Sequence, residues 1–306
     1  MRVVIVGGAG GVGASLAYSL ISSSVTYEIV LVDVRPEMVV SHVMDLENAV
    51  ALGRAPHTVR AGTLDDAVGA DLVVISASVP LRLNISREVF LTENARIVGE
   101  VLTVLAASGF DNPVVLLTNP VDHLLTWAAR QGWLPARKLV GYTVNDSLRL
   151  RTAVAAQLGL HPRDVDACVL GEHGAGQVPI FSRITVDGQP VELGDEQQTA
   201  VRKYIDTWYD RHVALDSGRT STWSTGLGAA RLIDAIATAS GDVLPASVVL
   251  DGEYGIKGVA LGVPVVLSPQ GVDRVVRWPL SDAEAEALAV AAARVEVSIA
   301  ALDESP

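Results

Sequence analysis

One cysteine, Cys168, stands in 306 residues. That excludes an intrachain disulfide and a cysteine-rich metal site. No uninterrupted apolar run approaches the ~20 residues a membrane span needs. The opening run, Val3-Val4-Ile5-Val6, is cut short by glycine and is too brief for a signal-peptide core. Basic residues are scarce: 23 Lys and Arg stand against 35 Asp and Glu, a net charge of −12. So acidic a surface is a poor partner for nucleic acid or an anionic membrane, and any anionic ligand must be held by local positive groups. There is no internal repeat and no low-complexity linker. These absences point to a cytoplasmic protein that handles small molecules.

Apolar residues make up 49% of the chain, and mean hydropathy is +0.36. That suits a well-filled core in one large domain or two medium ones. The first half alternates β-branched runs with helical patterns. Val3–Val6, Glu28–Val32, Leu72–Ser76, Val114–Thr118 and Lys138–Gly141 read as strands, nearly continuous in Val, Ile and Leu, as in a parallel sheet buried on both faces. Helical patterns fill Gly11–Ser22, Pro36–Ala51, Ser86–Ala107 and Val121–Arg130. Repeated βαβ units of this kind give a Rossmann-type, doubly wound parallel sheet. In the second half a helix, Asp146–Leu158, precedes strands at Asp164–Leu170 and Phe181–Val186. A long helical region follows over Glu196–Ile236, with a break expected near Ser217-Gly218. Strands Ser247–Leu250, Gly258–Leu261 and Pro264–Ser268 lead to a last helix, Ser281–Leu302. The expected organisation is an α/β nucleotide-binding domain at 1–144 and an α+β substrate domain at 145–306, closely packed.

Gly8-Ala9-Gly10-Gly11-Val12-Gly13 fits G-x-G-x-x-G between a strand and a helix. Gly8 is expected at the tight turn. Gly10 lets the backbone approach a pyrophosphate, and Gly13 lets helix and strand pack closely. A helix N-terminus then offers free N–H groups to the anion. Asp33 ends the second strand 20 residues after Gly13, where a carboxylate bonds the ribose hydroxyls of NAD and repels a 2′-phosphate. A glycine-rich structural turn and a strand-end carboxylate are the plain alternatives. The context favours NAD over NADP.

Gly171-Glu172-His173-Gly174 follows the apolar run Ala167–Leu170. A histidine between glycines at a strand end is displayed rather than packed. Asp146 and Arg149, at i and i+3, share a helix face. The carboxylate suits fixing a histidine tautomer, and the arginine suits gripping an acidic substrate. Taken singly, the pair reads equally well as an intrahelical ion pair and the histidine as a turn residue. His42, His57, His123, His161 and His212 lack such a setting and read as structural or exposed. Cys168 reads as a small hydrophobe.

Gly8–Gly13, Asp33, Met44-Asp45-Leu46-Glu47, Ser86-Arg87, Thr118-Asn119-Pro120, Asp146–Arg149, Gly171–Gly174 and Asp251–Gly255 together resemble the L-lactate/L-malate dehydrogenase family over nearly the whole length. The resemblance implies that His173 exchanges a proton with the substrate oxygen and that Asp146 orients it. It implies that Arg149 binds the substrate carboxylate through two parallel hydrogen bonds. Arg87 would polarise the carbonyl from a closing loop, and Asn119 would bond the substrate and border the nicotinamide. Ser221 aligns with a family hydroxyl that contacts substrate. The family also implies a homodimer or homotetramer.

The chain departs from the family in its loop 79–87. The position that carries glutamine in lactate enzymes and arginine in malate enzymes holds Leu81, with Arg82 beside it. A leucine there suits an apolar 2-oxo acid. A register shift that brings Arg82 in suits oxaloacetate. Malate-type activity is the favoured reading, with lactate-type or larger apolar substrates as the alternative. A non-catalytic NAD-binding regulator and a metal-dependent glycosidase are the readings from other classes.

Overall fold

The computed structural model describes residues 1–80 and 87–303. The first half contains β1 (Arg2–Val6), α1 (Gly11–Ile21), β2 (Glu28–Val32), α2 (Pro36–Ala49), β3 (Thr58–Ala61), β4 (Leu72–Ile75), α3 (Arg87–Ala107), β5 (Val114–Leu116), α4 (Val121–Gln131) and β6 (Leu139–Tyr142). Strand order is β3-β2-β1-β4-β5-β6, all parallel. β1 and β4 are consecutive in the sheet but not in the chain. Their C-terminal ends flank the crevice where a doubly wound sheet binds its ligand. The valine, isoleucine and leucine runs that spell these strands are buried, Val4, Ile5, Val30 and Val74 completely. Helices on each face close two separate apolar clusters.

The second half contains α5 (Val144–Leu158), β7 (Val165–Asp166), β8 (Val169–Gly171), β9 (Gln177–Pro179), β10 (Thr185–Val186), β11 (Gln189–Pro190), α6 (Asp195–Asp206), α7 (Trp208–Val213), α8 (Thr222–Thr238), β12 (Leu244–Asp251), β13 (Lys257–Ser268), β14 (Gly271–Val275) and α9 (Asp282–Asp303). β7, β10 and β11 form a small sheet of their own, and the other strands extend the first sheet. β12 pairs antiparallel with β6, Ala246 opposite Tyr142 and Ser247 opposite Gly141. β13 and β8 continue the sheet from there. Helix α8 packs on α1. The parallel half and the antiparallel half therefore share one backbone hydrogen-bond network, and only Thr143 separates β6 from α5.

Several expected elements take another form. Gly258–Leu261 and Pro264–Ser268 are one strand, β13. Gly262 is no turn, because it lies opposite both Ser247 and Gly171, and a Cβ there would stand 3.1 Å from the Gly171 carbonyl oxygen. The expected strand Asp164–Leu170 splits into β7 and β8, which join different sheets. Phe181–Arg183 is a 3₁₀ turn ahead of β10. Glu196–Ile236 is three helices, and Ser217-Gly218 lies in the gap between α7 and α8. β3 and β14 were not expected from pattern. β3 is an edge strand whose Thr58-Val59-Arg60-Ala61 alternates rather than runs apolar. On α3 the buried face includes Leu91, whereas Val89 is 47% exposed.

Candidate active site

Four element ends converge: the N-termini of α1, α4 and α5, and the C-terminus of β8. At the first, Gly7 carries the left-handed turn (φ +93°) expected of Gly8. A Cβ on Gly7 would lie 2.4 Å from the Ala77 amide nitrogen. Gly8 is instead pressed on Leu31, whose Cβ is 2.9 Å from where its own would be. Gly13 faces the Gly7 carbonyl oxygen so closely that a Cβ would come within 2.4 Å. The loop is locked to the sheet by Gly7 and Gly8 N–H groups donating to the Val32 carbonyl at 2.8 and 3.0 Å. Gly10 precedes α1 at its N-cap and supplies no side-chain cap. A groove of about 1700 Å³ runs from Asp33 past Gly10 to Thr220 and Thr222. Asp33 is anchored there: Oδ2 accepts the Ala9 N–H at 3.0 Å, and Oδ1 accepts the Arg35 N–H and Nε. An uncapped helix start, a loop too tight for side chains and a carboxylate at the groove's far end fit a dinucleotide.

The groove's lining does not include His173 or Arg149. Ser221 makes the connection. It precedes Thr222 of the groove wall, and its hydroxyl accepts from Arg149 Nη2 at 3.1 Å. Arg149 Nη1 donates to Asp146 Oδ1 at 3.1 Å. The other oxygen, Oδ2, lies 2.6 Å from His173 Nδ1. A carboxylate only accepts, so Nδ1 carries the proton and Nε2 is left for other chemistry. The ion-pair and histidine-orienting readings of Asp146 are thus both realised, one at each oxygen. The side chains of His173, Arg149 and Asp146 are 17%, 16% and 3% exposed. The histidine is therefore enclosed rather than displayed, with a narrow opening. Burial alone would depress its pKa. The charge and hydrogen bond of Asp146, and the charge of Asp122, outweigh that and hold His173 above the ordinary imidazole range.

Four contributors carry no sequence-level expectation. Asp122, in the first turn of α4, is buried and bonds the His173 backbone. Its signal was a carboxylate set in an apolar helix start, two residues after Pro120. Ser247 of β12 holds the other Asp122 oxygen. Asn94 of α3, fully buried, accepts the Val79 N–H and donates to the Asn119 carbonyl at 2.8 Å. It therefore sets the backbone of Asn119, whose side chain is exposed. Trp208 of α7 stacks on the Arg149 guanidinium at 4.0 Å. Trp223 lines the groove and is 69% exposed. Arg87 is the first residue of α3. Leu81, Arg82 and Ser86 lie outside the described residues.

Cys168 is half-buried, its thiol paired with the Ser147 hydroxyl at 3.6 Å and pushed by burial up to about 11. It is no nucleophile at neutral pH.

The match to known proteins is complete along the chain. Residues 1–141 match the lactate/malate dehydrogenase NAD-binding domain, and 143–304 match the lactate/malate dehydrogenase alpha/beta C-terminal domain. The chain belongs to the lactate/malate dehydrogenase family. Among relatives, a malate dehydrogenase of Halobacterium salinarum is 35% identical over 298 residues, covering 96% of this chain and 97% of that one. L-lactate dehydrogenase 2 of Lactococcus lactis is 33% identical over 284 residues, covering 90% of each. A minor L-lactate dehydrogenase structure from Enterococcus mundtii superposes with a TM-score of 0.91 at 30% identity, covering 99% of each chain. Two points of identity separate the malate from the lactate relative, too few to choose a substrate.

The glycine geometry makes one expectation of this family member directly testable. Gly13→Ala would force the main chain of residue 7 or 13 to move, so NADH binding should weaken at least ~10-fold, about 1.4 kcal/mol. Fluorescence titration with NADH checks it, and an unchanged affinity in a folded variant would remove the close approach from the binding argument.

Proposed function

We propose that this protein is an NAD-dependent L-2-hydroxy acid dehydrogenase. One observation carries the reading: a buried carboxylate, Asp146, holds His173 on one oxygen and Arg149 on the other, beside a dinucleotide groove. Gly8, Gly10, Gly13 and Asp33 would hold NAD, which supplies or accepts the hydride. His173 Nε2 gives a proton to the substrate oxygen in reduction and takes one in oxidation. Arg149, with its plane set by Trp208 and Ser221, binds the substrate carboxylate as a fork. Arg87 stabilises charge on the reacting oxygen, and Asn119 borders the nicotinamide position. A bystander role as a non-catalytic regulator leaves the 2.6 Å His173–Asp146 contact without purpose.

His173→Asn is expected to lower kcat by about 10²–10⁴-fold while NADH affinity survives. Near-normal turnover would defeat the assignment. The pH dependence follows from the upward shift of His173. Reduction needs the imidazolium, so its rate should hold at neutral pH and fall as pH rises through the raised value. Oxidation needs the neutral ring, so its rate should rise over the same interval. Parallel profiles in the two directions would contradict this role.

For the substrate we favour a dicarboxylate, malate and oxaloacetate, because Arg82 stands beside the discriminating position. Leu81 supports the alternative, an apolar 2-oxo acid. If Arg82 reads the substrate, wild type prefers oxaloacetate and Arg82→Ala loses that preference. If Leu81 does, wild type prefers 2-oxoisocaproate or pyruvate, and Leu81→Arg gains oxaloacetate activity. Steady-state rates on the three acids decide between them. Equal, weak rates on all three would overturn both.

The assembly we infer is a homodimer, alone or within a homotetramer. Tyr18 of α1, Met44 of α2, and Trp223 and Leu227 of α8 are 61–69% exposed, on helices that pack against α1. Apolar side chains grouped in this way mark a protein contact. Leu227→Asp is expected to give monomers in sedimentation velocity. A monomeric wild type, or an unaltered mass in the variant, would exclude this face.

A further inference from the structure

Asp122 is 1% exposed and bonds to two distant parts of the chain. Its Oδ2 accepts the main-chain N–H of His173 at 2.6 Å, and its Oδ1 accepts the Ser247 hydroxyl at 2.5 Å. Neither contact is to the imidazole, which Asp146 already holds. The two carboxylates come from different helices, α4 and α5, and grip the same residue at different points. The grip matters because His173 lies between Gly171 (φ +88°) and Gly174 (φ +107°), residues with little intrinsic restraint. Without an outside anchor the peptide carrying the ring is free to drift.

We propose that Asp122 is a positioning residue for proton exchange, anchoring the main chain of His173 and presenting a second buried negative charge to its ring. The proposal rests on His173 being the proton-exchanging group. The charged groups around that ring are few. From α5 come Asp146 and Arg149, from α4 comes Asp122, and from the histidine's own loop comes Glu172, which has Arg294 of α9 at 4.0 Å. Two of the negative groups, Asp146 and Asp122, favour the imidazolium, and Arg149 opposes it. Asp122 itself is pushed by burial up to about 6, against the hydrogen bonds of Ser247 and the His173 amide that favour its charge. Its ionisation and that of the ring therefore support each other.

Asp122→Asn isolates the charge. Asparagine still offers an oxygen to the His173 N–H and an amide to the Ser247 oxygen, so the anchor persists. The pH limb of 2-oxo acid reduction should move to lower pH by about one unit, the usual effect of losing one opposite charge close to a titrating group. Asp122→Ala removes the anchor as well, and kcat should fall by about 10–100-fold with the Kd for NADH unchanged. A limb that stays put in a folded Asp122→Asn variant overturns the proposal, whatever the alanine variant does. Lower Tm with an unaltered pH profile would leave Asp122 as a structural tie only. His173→Asn is assayed alongside: if that variant keeps turnover, the reading of His173 has failed rather than the inference about Asp122.

Discussion

The site depends on one buried carboxylate. Asp146 is 3% exposed at its side chain and faces two cationic groups, Arg149 and the protonated form of His173. A charge taken that far from water is tolerable only when it is paired and fully hydrogen-bonded. Asp146 meets both conditions, with one oxygen for each partner. The arrangement makes the three groups interdependent. Removing one member of a buried pair costs about 3–5 kcal/mol, mostly because the survivor is left uncompensated. The same interdependence gives chemistry. The carboxylate fixes which nitrogen of the histidine carries a proton, and it ties the arginine to the same side chain that holds the ring.

Holding three groups from separate elements in register needs a stiff frame, and the mixed sheet supplies it. β6 delivers Tyr142 to the start of α5, where the tyrosine hydroxyl lies 2.9 Å from Asn145 Oδ1 and 3.0 Å from the Ser224 carbonyl. Asn145 in turn donates to Thr225. These contacts fasten the first turn of α5 to α8, and with it the Arg149–Ser221 contact. On the other side β8 reaches β13 through the pair Gly171 and Gly262. Two glycines at one register position allow the His173 loop to lie close against the sheet. The halves that sequence pattern treats as successive are thus joined by backbone pairing at the edges of the candidate site, β6 with β12 and β8 with β13.

What was legible in the residues follows from this division. The parallel half could be read closely, β2 to its end residues, because strands buried on both faces leave unbroken runs of Val, Ile and Leu. β3 escaped for the opposite reason: at the edge, only alternate residues are buried. The cofactor loop and the His173 loop announced themselves through glycine, since glycine marks where backbone and ligand come close. Asp122 did not, because its role depends on contacts 51 and 125 residues away. Trp208 was likewise silent, being one aromatic among several until α7 turned it onto Arg149. Gly258–Leu261 and Pro264–Ser268 read as two strands but are one, because Gly262 between them is a close-packing strand residue.

An acidic protein that binds anionic ligands has to resolve a conflict, and distance resolves it. The net charge is −12, and at physiological salt an exposed charge is screened beyond a Debye length of about 8 Å. Within that radius the local groups dominate. Those groups are the uncapped start of α1, which suits a pyrophosphate, and the enclosed guanidinium of Arg149, the partner proposed for a substrate carboxylate. Because Arg149 is only 16% exposed, its attraction is weakened by salt far less than that of a surface arginine. Burial lowers its pKa somewhat, but a guanidinium starts so high that it stays charged. Lysine at this position would lose more from the same burial, since its ammonium deprotonates more readily when desolvated. On the proposed roles, arginine therefore answers two demands at once, a fork for a planar carboxylate and a cation that survives the enclosure around His173.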